Sequence, residues 1–289
     1  MIVAAGLTPA WQQILVFDRM RTGHVNRAKT AVWCGSGKVL NVGAVLHQLG
    51  AKSLTLCPVG GITGQQIRDN FAARGIPARW LATSAATRVC TTILDEETNA
   101  TTELVENSAP LSEAELDEYA TAFAEEARAA SVVVLSGSLP QGTTTNYYRR
   151  LLERTPAKAI LDVRGLELLE CLPQRPFLVK PNREELAATI GRPLESEDDV
   201  TEAMSELRTL GAEWVVVSNG PAPLLALGPG GLDRFEPPRV HVINPIGCGD
   251  ALCAELALRI DQQWSVLEAL RAAVVNASKR ASELLPSVA

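Results

Sequence analysis

Ser131-Val132-Val133-Val134-Leu135-Ser136-Gly137-Ser138-Leu139-Pro140 is a nearly continuous apolar run that stops in a turn of small residues. A strand apolar on both faces has no solvent side, so it belongs in a parallel sheet covered by helices above and below. Residues 159–163 and 214–217 read the same way. Residues 1–7 and 53–59 supply further strands. Helical patterns lie between, at 39–49 closed by Gly50 and at 65–73 closed near Gly75. This alternation is the α/β class, with a mostly parallel sheet. In such sheets ligands bind outside the carboxyl ends of the strands, which draws attention to residues 136–140.

Helix starts are legible further along. Ser112 and Glu115 form a capping box, and Ser196 with Asp199 a weaker one. Two helices are expected to close the chain, at 249–260 and 265–285. One region breaks the rhythm. Residues 88–94 are a Thr-rich strand pattern, 95–100 a turn cluster, and 101–105 a returning strand, which predicts a β-hairpin. Residues 11–33 also lack helical periodicity. Together they predict a small separate sheet, a lid made from about 11–37 and 88–106, on a single domain spanning 1–289. Pro221, Pro223, Pro229, Pro237 and Pro238 mark a loop-and-hairpin region.

The 289 residues are 46% hydrophobic and 21% charged, which suits a globule with a sizeable core. Aromatics are only 4%, so that core is built of Leu, Val, Ile and Ala. The net charge of −6 argues against nonspecific nucleic-acid or membrane binding, which runs on cationic patches. Six cysteines are scattered with no C-x-x-C pair, the usage of reduced, buried thiols. No signal peptide and no membrane-length apolar stretch is present, so the cytoplasm is the expected compartment. His24, His47 and His241 show no ligand spacing, and Trp11, Trp33, Trp80, Trp214 and Trp264 are not expected to cluster.

Four stretches carry chemistry. Asn244-Pro245-Ile246-Gly247-Cys248-Gly249-Asp250-Ala251 opens a helix. Glycines let backbone amides approach an anion, and a helix N-terminus adds free N–H groups and partial positive charge. Asp250 at the rim could take a proton from an attacking hydroxyl. The same stretch also reads as a turn with Asp250 as a plain helix cap. Gly35-Ser36-Gly37-Lys38-Val39-Leu40-Asn41 opens an earlier helix and suits an anion, although a flexible turn with a solvated Lys fits equally. Its spacing is not that of a Walker P-loop. In Lys180-Pro181-Asn182-Arg183-Glu184-Glu185, Asn182 and Glu185 share one helix face and could orient water about Mg²⁺. They could equally be a capping box. Arg88, at the start of a lid strand, could clamp phosphate, and an isolated Arg is also often a solvated surface residue.

Taken in order, LTPA at 7–10, GHVNR at 23–27, SGKVLNV at 36–42, GGITG at 60–64, LSGSLP at 135–140, KPNREEL at 180–186, VVVSNG at 215–220 and NPIGCGDA at 244–251 resemble the PfkB (ribokinase-like) carbohydrate kinases. The nearest branch is that of 1-phosphofructokinase and tagatose-6-phosphate kinase. The resemblance runs from Leu7 to about Ala277. It implies a ribokinase-like three-layer αβα sandwich with a small β-sheet lid. The implied activity is ATP-dependent phosphorylation of a sugar-phosphate hydroxyl.

By position, Asp250 resembles the catalytic base, and Gly247, Cys248 and Gly249 the anion hole. Glu185 resembles the residue linked to Mg²⁺. Lys180, Asn182, Ser218, Gly220 and Asn276 match the ATP side. Gln12, Arg27, Gly37, Lys38, Asn41, Arg88 and Ser138 match the acceptor side. The implied partners are a small sugar or sugar phosphate, Mg²⁺ and ATP, with a homodimer formed through the lid and no nucleic acid or membrane.

The chain departs from the family pattern at Thr8, where Asn is usual, and at Gln12, where an Asp holds sugar hydroxyls. Ser36 and Val39 replace glycines, Pro223 stands where a second Gly is common, and Glu255 occupies another usual Gly position. Two other expectations therefore stand beside the first: a kinase of an unphosphorylated sugar, and a degenerate fold that binds sugar phosphate or nucleotide as a regulator. A Rossmann oxidoreductase is disfavoured, because no G-x-G-x-x-G follows the first strand.

Overall fold

The computed structural model describes residues 1–286. Its first part runs β1 (Ile2–Ala5), β2 (Ala10–Phe17), β3 (Thr30–Ser36), α1 (Lys38–Gln48), β4 (Ser53–Val59), α2 (Gly61–Ala73), β5 (Ala78–Ala82), β6 (Val89–Asp95) and β7 (Ala100–Val105). Then come α3 (Glu113–Ala127), β8 (Val132–Ser136), α4 (Tyr147–Leu152), β9 (Lys158–Asp162), α5 (Gly165–Cys171), β10 (Leu178–Val179), α6 (Arg183–Ile190) and α7 (Glu197–Leu210). The last elements are β11 (Trp214–Asn219), β12 (Ala222–Gly228), β13 (Gly231–Phe235), α8 (Cys248–Asp261) and α9 (Val266–Arg280).

A nine-stranded sheet has the order β13-β12-β11-β10-β9-β8-β1-β4-β5. It is parallel except where β12 returns antiparallel between β11 and β13, the hairpin of the proline-punctuated region. The apolar runs behave as their composition requires. All five residues of β8 are buried, and alternate side chains enter different cores. Val3, Ala5, Val133, Leu135 and Leu161 meet α3 to α7 on one face. Ile2, Ala4, Val132, Val134 and Ile160 meet α1, α8 and α9 on the other. The result is three layers, with both faces of the sheet covered.

Capping fixes where helices begin. Complete capping boxes open α3 at Ser112 and Glu115 and α7 at Ser196 and Asp199. A further box at Ser265 and Glu268, not anticipated from sequence, opens α9. Each cap is worth about 1 kcal/mol. Tyr148, fully buried, donates from its hydroxyl to the carbonyl of Gly137 at 2.9 Å and so pins the turn after β8.

The second sheet has the order β3-β2-β6-β7 and is built from the two segments expected to form it. Gln12, Ile14 and Val16 alternate onto one buried face. Trp11 and Trp33 stack with ring centroids 5.9 Å apart, a pair worth about 0.5–1.5 kcal/mol beyond its burial. This corrects the expectation that the tryptophans stay apart, since the β2–β3 register brings together residues 22 positions distant in sequence.

Other boundaries also move. Strand β1 is shorter than 1–7. Helix α2 begins at Gly61 instead of 65, and β9 ends at Asp162. Helix α9 stops at Arg280 instead of 285, because the carbonyl of Ala281 accepts from the amides of Ile243 at 2.7 Å and Asn244 at 3.1 Å. The chain then turns, and Leu284 and Leu285 pack against Ile14, Val16, Cys34 and Leu94 of the small sheet.

Candidate active site

The carboxyl ends of β8, β9, β10 and β11 meet the N-termini of α1, α6 and α8, and hydrogen bonds join the side chains presented there. Asp250, three residues into α8, is 6% exposed. Its Oδ2 accepts from Asn41 Nδ2 at 2.7 Å, and Asn41 Oδ1 accepts from Ser36 Oγ at 3.1 Å. Asp250 is therefore not a helix cap, since its carboxylate reaches across to α1 and not back to its own backbone. Burial, reinforced by the charge of Asp162, raises its pKa to about 6, against the pull of Lys38, Asn41 and Lys180. A carboxylate poised there is ionised at neutral pH and still basic enough to accept a proton.

Lys38 Nζ lies 3.1 Å from Asp162 Oδ1 and 3.2 Å from Glu185 Oε1. Lys180 Nζ lies 3.3 Å from the same Asp162 oxygen. Burial opposes both ammonium charges, but Asp162 and the neighbouring acids outweigh it and hold both lysines protonated. Burial likewise opposes the charge of Asp162, yet Lys180 and Lys38 prevail and lower its pKa.

Lys180 also reaches the mouth of α8. A Cβ on Gly249 would sit 3.3 Å from its Nζ. At that mouth Gly247 has φ 87°, a conformation that glycine adopts without strain, and its α-hydrogen side packs on Pro286. Among the described residues no acceptor engages the amides of Gly247, Gly249 or Asp250. The Cys248 amide makes only a long contact, 3.4 Å, to Pro245 O. Burial pushes the Cys248 thiol up to about 11, so it is neutral. Asn244, buried, spans the approach: its Nδ2 donates to Leu284 O at 2.8 Å and its Oδ1 accepts from Ile246 N at 3.0 Å. The loop before α8 is thereby fastened to the C-terminal segment.

Asn182 and Glu185 form the capping box of α6. Glu185 Oε2 accepts from the Asn182 amide at 3.0 Å, while Oε1 is the oxygen facing Lys38. The capping-box alternative is realised, and it leaves one carboxylate oxygen directed into the cluster. Ser218 bridges to Asn182 in parallel register, and Gly220 takes φ 54° in the turn that follows. On α9, Asn276 Nδ2 is shielded from solvent, with no hydrogen-bond partner among the described residues.

Some expected residues stand apart from this cluster. Gln12 is buried in the small sheet, its Nε2 donating to Thr92 Oγ1 at 2.7 Å. The Arg88 guanidinium donates to the carbonyls of Thr8, Pro9 and Glu106 at 2.9, 3.3 and 3.0 Å. Arg88 is therefore neither free nor merely solvated, and it ties the small sheet to the end of β1. Arg27 stands exposed on the loop between β2 and β3. Gly37, at φ 92°, caps α1 where a Cβ would press on Thr8 O at 2.9 Å. Ser138 O accepts from Thr8 Oγ1 at 3.1 Å, so Thr8 now braces the turn after β8. Glu255, unusual inside α8, is neutralised by Arg259 at 2.6 Å.

Sequence reasoning missed Asp162. Its only signal is a carboxylate closing an apolar strand at the ligand-binding end of the sheet.

Residues 6–285 match the family profile of the pfkB family carbohydrate kinases. Phosphofructokinase-2 from Escherichia coli, in its tetrameric inhibited form, is 27% identical with a TM-score of 0.89, over 97% of this chain and 93% of its own. The same protein in complex with fructose-6-phosphate is 27% identical with a TM-score of 0.88, over 97% and 94%. Ribokinase from Thermotoga maritima shares the fold at 15% identity, with a TM-score of 0.80 over 99% and 95%. Among the described residues no helix is long and apolar enough to cross a membrane.

Proposed function

The chain belongs to the pfkB family of carbohydrate kinases, and from that premise we propose that it moves the γ-phosphoryl group of ATP to a hydroxyl of a sugar phosphate, with Asp250 as the general base. The observation that carries this reading is the mouth of α8. There a buried carboxylate with a raised pKa stands beside backbone amides that find no acceptor among the described residues, and the Lys180 ammonium is aimed at Gly249. Amides and ammonium stabilise charge developing on the transferring group. The carboxylate removes the acceptor's proton.

We assign to the ATP side Asn182 and Ser218, joined by a backbone bridge, with Gly220 in the turn after Ser218 and Asn276 on α9. A nucleobase could satisfy the donor that Asn276 leaves open. Mg²⁺ fits as a partner of the nucleotide. Among the described residues no three acidic, His or Cys side chains form a cage, but Glu185 offers one oxygen, and Mg²⁺ is commonly held by one or two carboxylates with waters and phosphates. When bound it neutralises phosphate charge.

We assign to the acceptor side Lys38 and Asn41, both bonded within the cluster, together with Gly37, which precedes Lys38, and Ser138 in the turn after β8. The small sheet serves as a lid that excludes water. On its face opposite Gln12, Trp33 at 42% exposure and Leu104 at 55% stand in one cross-strand row. That row suits pairing with a second copy of the chain.

A second reading, an acceptor without phosphate, draws on Arg88, whose guanidinium is already bonded to three carbonyls. ADP release with Mg·ATP, measured against fructose 1-phosphate, fructose 6-phosphate, tagatose 6-phosphate, fructose, tagatose and ribose, separates the two. Turnover of a phosphorylated acceptor is expected. Preference for a free sugar moves the assignment to the second reading, and no ADP release with any acceptor removes both.

A further inference from the structure

Asp162 is 1% exposed and closes β9. One oxygen, Oδ1, is shared by Lys38 Nζ at 3.1 Å and Lys180 Nζ at 3.3 Å. The two lysines come from different parts of the fold. Lys38 begins α1, beside Asn41 and the acceptor opening, while Lys180 follows β10 and points at Gly249. The other oxygen accepts from Ser136 Oγ at 3.4 Å, and the carbonyl of Asp162 accepts from the Gly137 amide at 3.1 Å. Asp162 is thus locked from both its side chain and its backbone. The contacts of this carboxylate are with the two lysines and Ser136, so it can act through the lysines.

We propose that Asp162 is a positioning residue that yokes Lys38 to Lys180, fixing the acceptor side against the phosphoryl-donor side of the site. Two ammonium groups held within two hydrogen-bond lengths of each other repel strongly in a low-dielectric interior. Lys180 is 3% exposed and cannot retreat into water. A single carboxylate oxygen between them converts that repulsion into a fixed geometry. It also lets Lys180 remain charged where charge on a migrating phosphoryl group needs it. Removing one partner from a buried set of this kind is costly, because the partners left behind are unpaired.

This inference rests on the kinase reading for its catalytic half only, and a double-mutant cycle separates the halves. The proteins are wild type, Asp162→Asn, Lys180→Met and the double variant. In thermal unfolding, Asp162→Asn is expected to lower Tm by about 10 °C, and the double variant to recover most of that loss. In turnover with whichever acceptor the wild type uses, Asp162→Asn is expected to lower kcat about 10²-fold. KM for ATP should change less than about threefold, and the double variant should be no slower than Lys180→Met alone. Additive losses in Tm and kcat, or an Asp162→Asn variant with wild-type kcat, overturn the proposal. A wild type that uses no acceptor overturns the kinase reading instead, and the unfolding cycle still decides whether the yoke exists.

Discussion

Replacing Asp250 by Asn separates the chemistry of this carboxylate from its structural role. The amide has the same shape and keeps an acceptor for Asn41 Nδ2, which now reaches Oδ2 at 2.7 Å. It cannot take a proton. A positioned general base contributes about 10²–10⁴ in rate, or about 2.7–5.5 kcal/mol of barrier, so kcat should fall by that factor.

Stability should move the other way. The folded pKa of Asp250 is about 6 against an ordinary 3.8, so the folded protein holds this proton more tightly than the unfolded chain. That contribution to stability is fully present below 3.8, falls as pH rises between 3.8 and about 6, and is gone above that. At neutral pH the ionised group costs folding roughly 3 kcal/mol, at about 1.4 kcal/mol per tenfold in acidity. Asn carries no charge to bury. The variant is therefore expected to melt about 5–10 °C higher at neutral pH, with the difference narrowing in acid. ADP release at saturating ATP and acceptor, paired with calorimetric unfolding at neutral and acidic pH, checks both halves. A variant that keeps kcat within about threefold of wild type, or that loses Tm together with activity, would refute the reasoning.

Gly247→Ala places a Cβ at φ 87°, with Pro286 O at 2.7 Å and Pro286 Cβ at 2.8 Å. A loss of about 1–3 kcal/mol in urea unfolding is expected, together with a lower kcat at unchanged acceptor KM as the α8 mouth shifts. Glu185→Gln keeps an oxygen for the Asn182 amide but removes the charge beside Lys38. The Mg²⁺ concentration for half-maximal activity should rise about tenfold, with Tm nearly unchanged. A magnesium titration of ADP release that superimposes on wild type would remove Glu185 from any role at the metal.

The parallel sheet was legible because Val132, Val133 and Val134 are apolar in succession, a pattern that only a doubly covered strand tolerates. The mouth of α8 was legible because two glycines and an Asp at a helix start have few structural uses together. Asp162 was not, since a single carboxylate at a strand end looks like a strand stop until the fold brings up Lys38 and Lys180 from 124 residues before it and 18 after. The structural bonds of Arg88 were hidden for a related reason. Its carbonyl partners at Thr8 and Pro9 lie about 80 residues away in sequence, and nothing local marks them. Helix α9 was overextended because helical propensity continues through residues 281–285, whereas the amides of Ile243 and Asn244 claim the next carbonyl.

The stacked indoles have an optical consequence. Trp11 and Trp33 lie 5.9 Å apart and 13° from coplanar, close enough for their excited states to couple. Trp11 also packs against the cluster around Phe71 that belongs to the main body. Any motion that lifts the small sheet must change the surroundings of one ring while leaving its neighbour's backbone pairing intact. The protein thus carries its own spectroscopic gauge, readable by near-ultraviolet circular dichroism or fluorescence without an attached dye.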